Sequence, residues 1–214
     1  MPRDMDTIVT HDRAAATPAL ILASGSATRA ALLAGAHIQF QTASPGIDEA
    51  ALKAAALAAG QTPARIAMLL AEAKCLAVSA VQPQALVIGA DQVLELDGRS
   101  FSKPADMADA QAQLGALAGK THRLLSALCV AQDGKVLWRH MGEARMTMRA
   151  LAPAEIGRYA ASAGEAILSS VGAYQYEGLG ANLFCAADGD HSTILGLPLL
   201  PLLGFLRTQG VTFA

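Results

Sequence analysis

Cysteine is scarce in this chain of 214 residues. Cys75, Cys129 and Cys185 are odd in number, widely separated and free of C-x-x-C spacing, which excludes a zinc ribbon and a secreted disulfide framework. All three are expected to be buried apolar fillers. An excess of either charge is missing too: 16 Lys and Arg stand against 18 Asp and Glu, and the isoelectric point is near 6.2. A polymeric nucleic acid needs clustered basic residues, so none is expected as a partner, and any phosphate bound here belongs to a small ligand. Long apolar runs are also absent. The mean hydropathy of +0.35 comes from alanine and leucine spread along helical stretches, and the longest run, 194–206, is broken by Pro198 and Pro201. A bilayer span needs about 20 apolar residues, so no membrane segment is expected. Residues 1–18 mix Arg3, Asp4, Asp6, Asp12 and Arg13 without an apolar stretch, which predicts a flexible tail rather than a secretory leader and makes the cytoplasm the expected compartment.

What the chain does contain is an alternation of short apolar strands and helical patterns. Ala19 to Ala23 is a strand that stops at Ser24-Gly25-Ser26 and gives way to a helix through Leu32 and Leu33. Residues 38–42 alternate like a half-buried strand and deliver Asp48 and Glu49 to a loop or helix start. Alanine-rich helices follow, the second with Thr62 as N-cap, Pro63 in its first turn and an end near Val81. Residues 86–90 predict a buried strand ending at Asp91, with 93–96 beyond it and a turn at Asp97-Gly98. A helix over 106–118 capped by Asp106 precedes a long hairpin, 121–132 and 135–150, about Asp133-Gly134; Trp138 is expected in that sheet. A helix near 153–162, a glycine-rich stretch over 172–180, a turn at Asp188-Gly189 and a last helix from Leu199 complete the order. No repeat or linker marks a boundary. The pattern predicts a mixed-sheet α/β protein flanked by helices.

Several segments carry chemistry. Ser24-Gly25-Ser26-Ala27-Thr28-Arg29 places two hydroxyls and unpaired backbone N–H groups at a helix N-terminus with an arginine one turn in, an arrangement suited to phosphate. Simple capping by Ser26 with a solvated Arg29 is the competing explanation. Glu49 and Asp91 leave predicted strand ends, where ligands gather in α/β sheets, and together could hold a divalent cation and activate water. Solvated loop acids are the alternative. Lys74 and Lys103 could neutralise a polyphosphate. The segment Gly115 to Thr121 imitates a phosphate-binding loop but ends a helix and enters a strand, the reverse of the required context. His122 and His191 are expected to be structural.

Taken in order, Leu20 to Ser26 with Arg29, Ile47-Asp48-Glu49, Val87 to Asp91, Lys103-Pro104, Gly119 to His122, Gly172-Ala173-Tyr174 with Glu177-Gly178, and Gly196 to Leu199 resemble the Maf family across nearly all of 19–207. The family is named for an association with inhibition of septum formation. The resemblance implies one catalytic domain over 19–214, with two lobes about a deep cleft in a long mixed sheet like that of inosine triphosphate pyrophosphatases, commonly dimeric. It also implies a Mg²⁺- or Mn²⁺-dependent pyrophosphatase that cuts nucleoside triphosphates between the α and β phosphates and clears altered nucleotides. By motif, Asp91 is the proton acceptor, Ser24, Ser26, Arg29, Lys74 and Lys103 bind phosphate, and Glu49 joins Asp91 at the metal.

Departures from the common pattern bear on specificity. Ala27-Thr28 stands where many members have Pro-Arg, Gln92 where they have Thr, Ser170 where they have Lys, Glu177 where they have Gln, and Ala73 where they have Glu. Gln92 and Glu177 resemble the branch that prefers 7-methyl-GTP, whereas Thr28 fits neither branch. A dTTP or UTP pyrophosphatase, or a nucleotide-binding regulator of cell division without turnover, are the alternatives.

Overall fold

The computed structural model describes residues 18–213, so the expectation for the N-terminal tail falls almost wholly outside the described residues. The chain runs β1 (Leu20–Ala23), α1 (Ala27–Gly35), β2 (Gln41–Thr42), α2 (Glu49–Ala58), α3 (Pro63–Val81), β3 (Leu86–Leu96), β4 (Arg99–Phe101) and α4 (Met107–Leu117). It continues through β5 (Thr121–Gln132), β6 (Lys135–Met148), α5 (Pro153–Ala163), three short 3₁₀ turns over residues 164–183, β7 (Phe184–Asp188), α6 (His191–Ile194) and α7 (Leu199–Thr208). The seven strands make one mixed sheet in the order β2-β1-β3-β5-β6-β7, with β4 also pairing β3. The β1 pairings to β2 and β3 are parallel and the rest antiparallel. This is the mixed α/β architecture expected from the sequence. No helix among the described residues is long and apolar enough to cross a membrane.

Caps set the helix starts. Ser26, Asp48, Thr62, Asp106 and Asp190 each accept a hydrogen bond from a backbone N–H three residues on, which satisfies a donor that the first turn leaves unpaired. The alternation of β3 then divides the core. Val87 and Val93 pack with Ile66, Leu70, Ala71 and Cys75 of α3, while Leu86, Ile88 and Ala90 pack with Leu33 of α1 and Leu202 and Leu206 of α7. Farther along that second face, Leu94 and Leu96 join Leu114 and Leu117 of α4 and Ile156 and Tyr159 of α5. Between the last two clusters β3 turns Gln92, not an apolar side chain, toward the gap.

Four expectations need correction. Asp91 does not end its strand: β3 runs unbroken to Leu96, because residues 87–95 pair continuously with β5. What ends there is the neighbour, since β1 stops at Ala23 opposite Gly89. The strand expected over 38–42 shrinks to Gln41–Thr42, the only two residues paired with the short β1. The hairpin's second strand stops at Met148 rather than 150. Cys185 is exposed on β7, unlike the buried Cys75 and Cys129. His122 is buried against the Tyr174 hydroxyl at 2.7 Å, and burial pushes its pKa down to about 4, which suits a structural role.

Gly89 sets how closely α3 can approach the sheet. A Cβ there would lie 2.7 Å from Cys75 Cβ and 2.8 Å from the Cys75 nitrogen, and would also strike the Ala71 carbonyl oxygen. Two of those three atoms are helix backbone, which cannot turn aside as a side chain can. Gly89→Ala is therefore expected to lower unfolding free energy by about 3 kcal/mol, measured by urea denaturation; a loss below about 0.5 kcal/mol would show that the helix is free to shift.

Candidate active site

Where β1 ends, the lane beside β3 empties, and the space becomes a cleft of about 580 Å³. Ser24, Ser26, Thr28, Arg29, Glu49, Lys74, Asp91, Gln92, Lys103 and Glu177 all line it, so the ten residues singled out from the sequence come together at one place. Asp91 and Gln92 leave opposite faces of β3, and both border the cleft because no strand covers that stretch of its edge.

Lys74 is the central charge. Projecting from α3 and nearly fully buried, its ammonium lies 2.7 Å from Asp91 Oδ1 and 2.6 Å from Glu49 Oε2. Asp91 is buried as well, whereas the Glu49 side chain, at the N-terminus of α2, is 49% exposed. Burial raises the Asp91 carboxyl above its ordinary value; Lys74 and Arg29 pull it back down, and Glu49 adds to the rise. Each carboxylate keeps one oxygen, Asp91 Oδ2 and Glu49 Oε1, without a partner among the described residues.

Arg29 is not the solvated side chain of the capping explanation, although Ser26 does cap α1. Its Nε donates to the Gly196 carbonyl at 2.9 Å, and its Nη1 donates to the Ala90 carbonyl at 2.9 Å and to Ser24 Oγ at 3.3 Å. The Ala90 carbonyl is a sheet-edge group left unpaired by the end of β1, so the arginine fills the place of the missing strand. Burial disfavours its charge, while Asp91 and Glu49 favour it. Ser24 Oγ also accepts from the Ser26 N–H, which holds the 24–26 turn open toward the cleft.

The opposite wall comes from residues 169–177 and from the α6 segment. Thr28 Oγ1 donates to Glu177 Oε1 at 3.3 Å and joins the two walls. The Gln92 amide nitrogen donates to Ser126 Oγ at 2.9 Å, to the Thr193 carbonyl at 3.2 Å and to the Ile194 carbonyl at 3.0 Å. Two of these partners can only accept, so the amide cannot be reversed, and Oε1 is the atom left for the cleft.

Sequence reasoning missed part of this site. Lys53 of α2 donates to the Phe101 carbonyl and to Ser102 Oγ, both at 2.9 Å, and so ties down the loop that carries Lys103. Its position follows from the fold and not from any local motif. The carbonyls of Thr193, Ile194 and Gly196 are backbone groups and leave no side-chain trace, although Gly196 was noticed within its motif.

Among the described residues no three His, Cys, Asp or Glu side chains cluster tightly enough to hold a metal by themselves. The donor set nevertheless fits one kind of ion. Mg²⁺ is commonly bound by one or two carboxylates together with substrate phosphate oxygens, and Glu49 and Asp91 each have an oxygen to spare.

A buried lysine from α3 held between two carboxylates at an uncovered sheet edge, beside a hydroxyl-rich helix start with a fixed arginine, defines an α/β protein whose cleft suits a small polyphosphate near an acid. A family profile described as Maf-like protein matches residues 19–209, and the chain belongs to that family. It is 53% identical over 193 residues to the 7-methyl-GTP pyrophosphatase of Brucella abortus biovar 1 (strain 9-941), covering 90% of this chain and 97% of that protein. The 7-methyl-GTP pyrophosphatase of Mesorhizobium japonicum is 52% identical, covering 91% of this chain and 98% of that protein. A nucleoside triphosphate pyrophosphatase of Paramagnetospirillum magneticum is 50% identical, covering 89% and 98%.

Because the folded Asp91 carboxyl is raised, the native state holds its proton more tightly than the unfolded chain does. Its contribution to stability is present at low pH and is lost as pH rises through the folded value. The melting temperature of Asp91→Asn relative to the unsubstituted protein is therefore expected to increase between about pH 4 and pH 7. A difference that shrinks over that range in thermal melts would mean that Lys74 outweighs burial.

Proposed function

We infer that the protein hydrolyses nucleoside triphosphates between the α and β phosphates, releasing nucleoside monophosphate and pyrophosphate, with 7-methyl-GTP as the favoured substrate. The observation that carries the reading is the buried Asp91 held by Lys74 within reach of the same cleft as the Ser24 to Arg29 turn. A carboxylate raised above its ordinary value is a better proton acceptor near neutral pH than a solvated one. Asp91 Oδ2 takes a proton from water as the water oxygen bonds to the α phosphorus, and the bridging oxygen leaves with pyrophosphate. Ser26, Arg29, Lys74 and Lys103 hold the phosphate oxygens, and Ser24 orients Arg29. Such a reaction depends on positioning and charge neutralisation more than on covalent chemistry.

Charge balance supports a metal. Arg29, Lys74 and Lys103 face Glu49, Asp91 and Glu177, so the lining is close to neutral and cannot by itself offset a triphosphate. Glu49 and Asp91 would hold Mg²⁺ or Mn²⁺. The ion would neutralise phosphate charge and lower the proton affinity of water.

The base preference rests on acceptors. Gln92 Oε1 and the Glu177 carboxylate both accept hydrogen bonds, and guanine offers adjacent donors at N1–H and its 2-amino group, where uracil and thymine offer one N–H. Methylation at N7 adds positive charge to the ring, which a carboxylate favours. The names of the two 7-methyl-GTP pyrophosphatases agree with this preference. A cytoplasmic protein acting on the soluble nucleotide pool is the setting in which such an activity clears altered nucleotides.

Release of pyrophosphate and monophosphate from 7-methyl-GTP, GTP, dTTP, UTP and ATP with Mg²⁺ or Mn²⁺ tests the reading. The expected result is fastest turnover of 7-methyl-GTP, with Asp91→Asn slower by at least about 100-fold while still binding nucleotide. Preference for dTTP or UTP would overturn the base assignment, and nucleotide binding without turnover would favour the regulator.

A further inference from the structure

Gln92 can present a carbonyl oxygen to the cleft only because two backbone carbonyls hold its amide nitrogen, and those carbonyls belong to the end of a helix four residues long. A helix of one turn has little stability of its own, so something must fix it. The fixing group is Asp190, which lies outside the cleft lining. Its Oδ2 accepts from the Thr193 N–H at 3.0 Å, from Thr193 Oγ1 at 3.4 Å and from the Ser192 hydroxyl. Ser192 Oγ in turn accepts from the Leu199 N–H at 2.9 Å, which joins the start of α6 to the start of α7. One carboxylate thus locks both ends of the connection between the two helices.

The other side of this strap, α6 and its connection to α7, is braced by the sheet. Ser126 Oγ on β5 donates to the Thr193 carbonyl at 2.8 Å and accepts from Gln92. Gly142 on β6 lies beneath it, where a Cβ would come within 2.7 Å of Pro198 Cγ and 2.9 Å of Thr193 Cγ2. The strap therefore sits at a height set by Asp190 above and Gly142 below, and that height decides whether the Thr193 and Ile194 carbonyls meet the Gln92 amide.

We propose that Asp190 is a positioning residue for base selection: through Ser192 and the Thr193 and Ile194 carbonyls it holds the Gln92 carboxamide with its oxygen toward the cleft. The inference rests on the reading of the cleft as a nucleoside triphosphate site. Freed from the strap, the carboxamide turns over and offers a donor as readily as an acceptor, so discrimination between base edges falls. A purely structural role would weaken all nucleotides alike by lowering the fraction of folded protein. The ratio of affinities for two bases is insensitive to that fraction.

The test is equilibrium binding of the non-hydrolysable α,β-methylene analogues of GTP and UTP, in the presence of Mg²⁺, to the unsubstituted protein and to Asp190→Ala, Asp190→Asn, Ser192→Ala and Gly142→Ala. Asp190→Ala is expected to reduce the GTP-to-UTP preference by about tenfold, because a fixed acceptor becomes a rotating amide. Ser192→Ala and Gly142→Ala, which disturb the strap from other directions, are expected to move the ratio the same way. Asp190→Asn, which keeps a capping oxygen, is expected to retain most of it. Variants that weaken both analogues equally, or an unsubstituted protein with no preference for the GTP analogue, overturn the proposal. Failure of the unsubstituted protein to bind either analogue overturns the reading of the cleft and the proposal with it.

Discussion

The site depends on one buried ammonium. Lys74 sits between Asp91 and Glu49 only because α3 lies close to β3, and α3 lies close because position 89 has no side chain. An ammonium removed from water is costly unless paired, and here two carboxylates share it. The same contact takes Asp91 out of water, which raises its proton affinity, while Lys74 limits the rise. Packing and proton chemistry are therefore set by a single distance between helix and sheet. Any shift of α3 away from β3 hydrates Asp91 and loosens Lys74 together.

The second constraint is an incomplete sheet. β1 stops at Ala23 opposite Gly89, two residues short of Asp91, and the exposed edge of β3 would be an unpaired backbone in water if nothing covered it. Arg29 covers part of it by donating to Ala90, and the Gly196 carbonyl holds the same guanidinium from the far side. A side chain thus takes the place of a strand, and unlike a strand it carries charge. Gln92 follows the same logic on the other face of β3, held by carbonyls at the end of α6. Both cleft residues owe their orientation to backbone carbonyls brought to them by neighbouring segments.

How much of this was legible beforehand follows from what a sequence encodes locally. The caps Ser26, Thr62 and Asp106, the Asp133-Gly134 hairpin and the helical order could be read because each depends on neighbours within a few residues. The ten cleft residues could be named because charged and hydroxyl groups at element ends are conspicuous, and because their order resembles the Maf family. The unbroken β3 could not, since Asp91 and Gln92 look like a strand's end until the pairing with β5 is known. β7 escaped notice for a related reason: Cys185, Ala186, Ala187 and Asp188 are exposed, so burial leaves no alternation to find. Lys53 and the strap carbonyls depend on contacts across the chain.

The geometry also explains why the acid and the base reader can be tuned separately. Asp91 faces α3 and answers to Lys74, whereas Gln92, the next residue, faces α6 and answers to Thr193 and Ile194. Adjacent residues on a strand point to opposite faces, so their surroundings are built from different helices. A change in the strap can alter which base edge is accepted without moving the carboxylate. A change in α3 can alter proton affinity without turning the amide. The two properties meet at Arg29, which approaches Gly196 on one side and Asp91 on the other, and through it a large displacement of the strap would reach the chemistry.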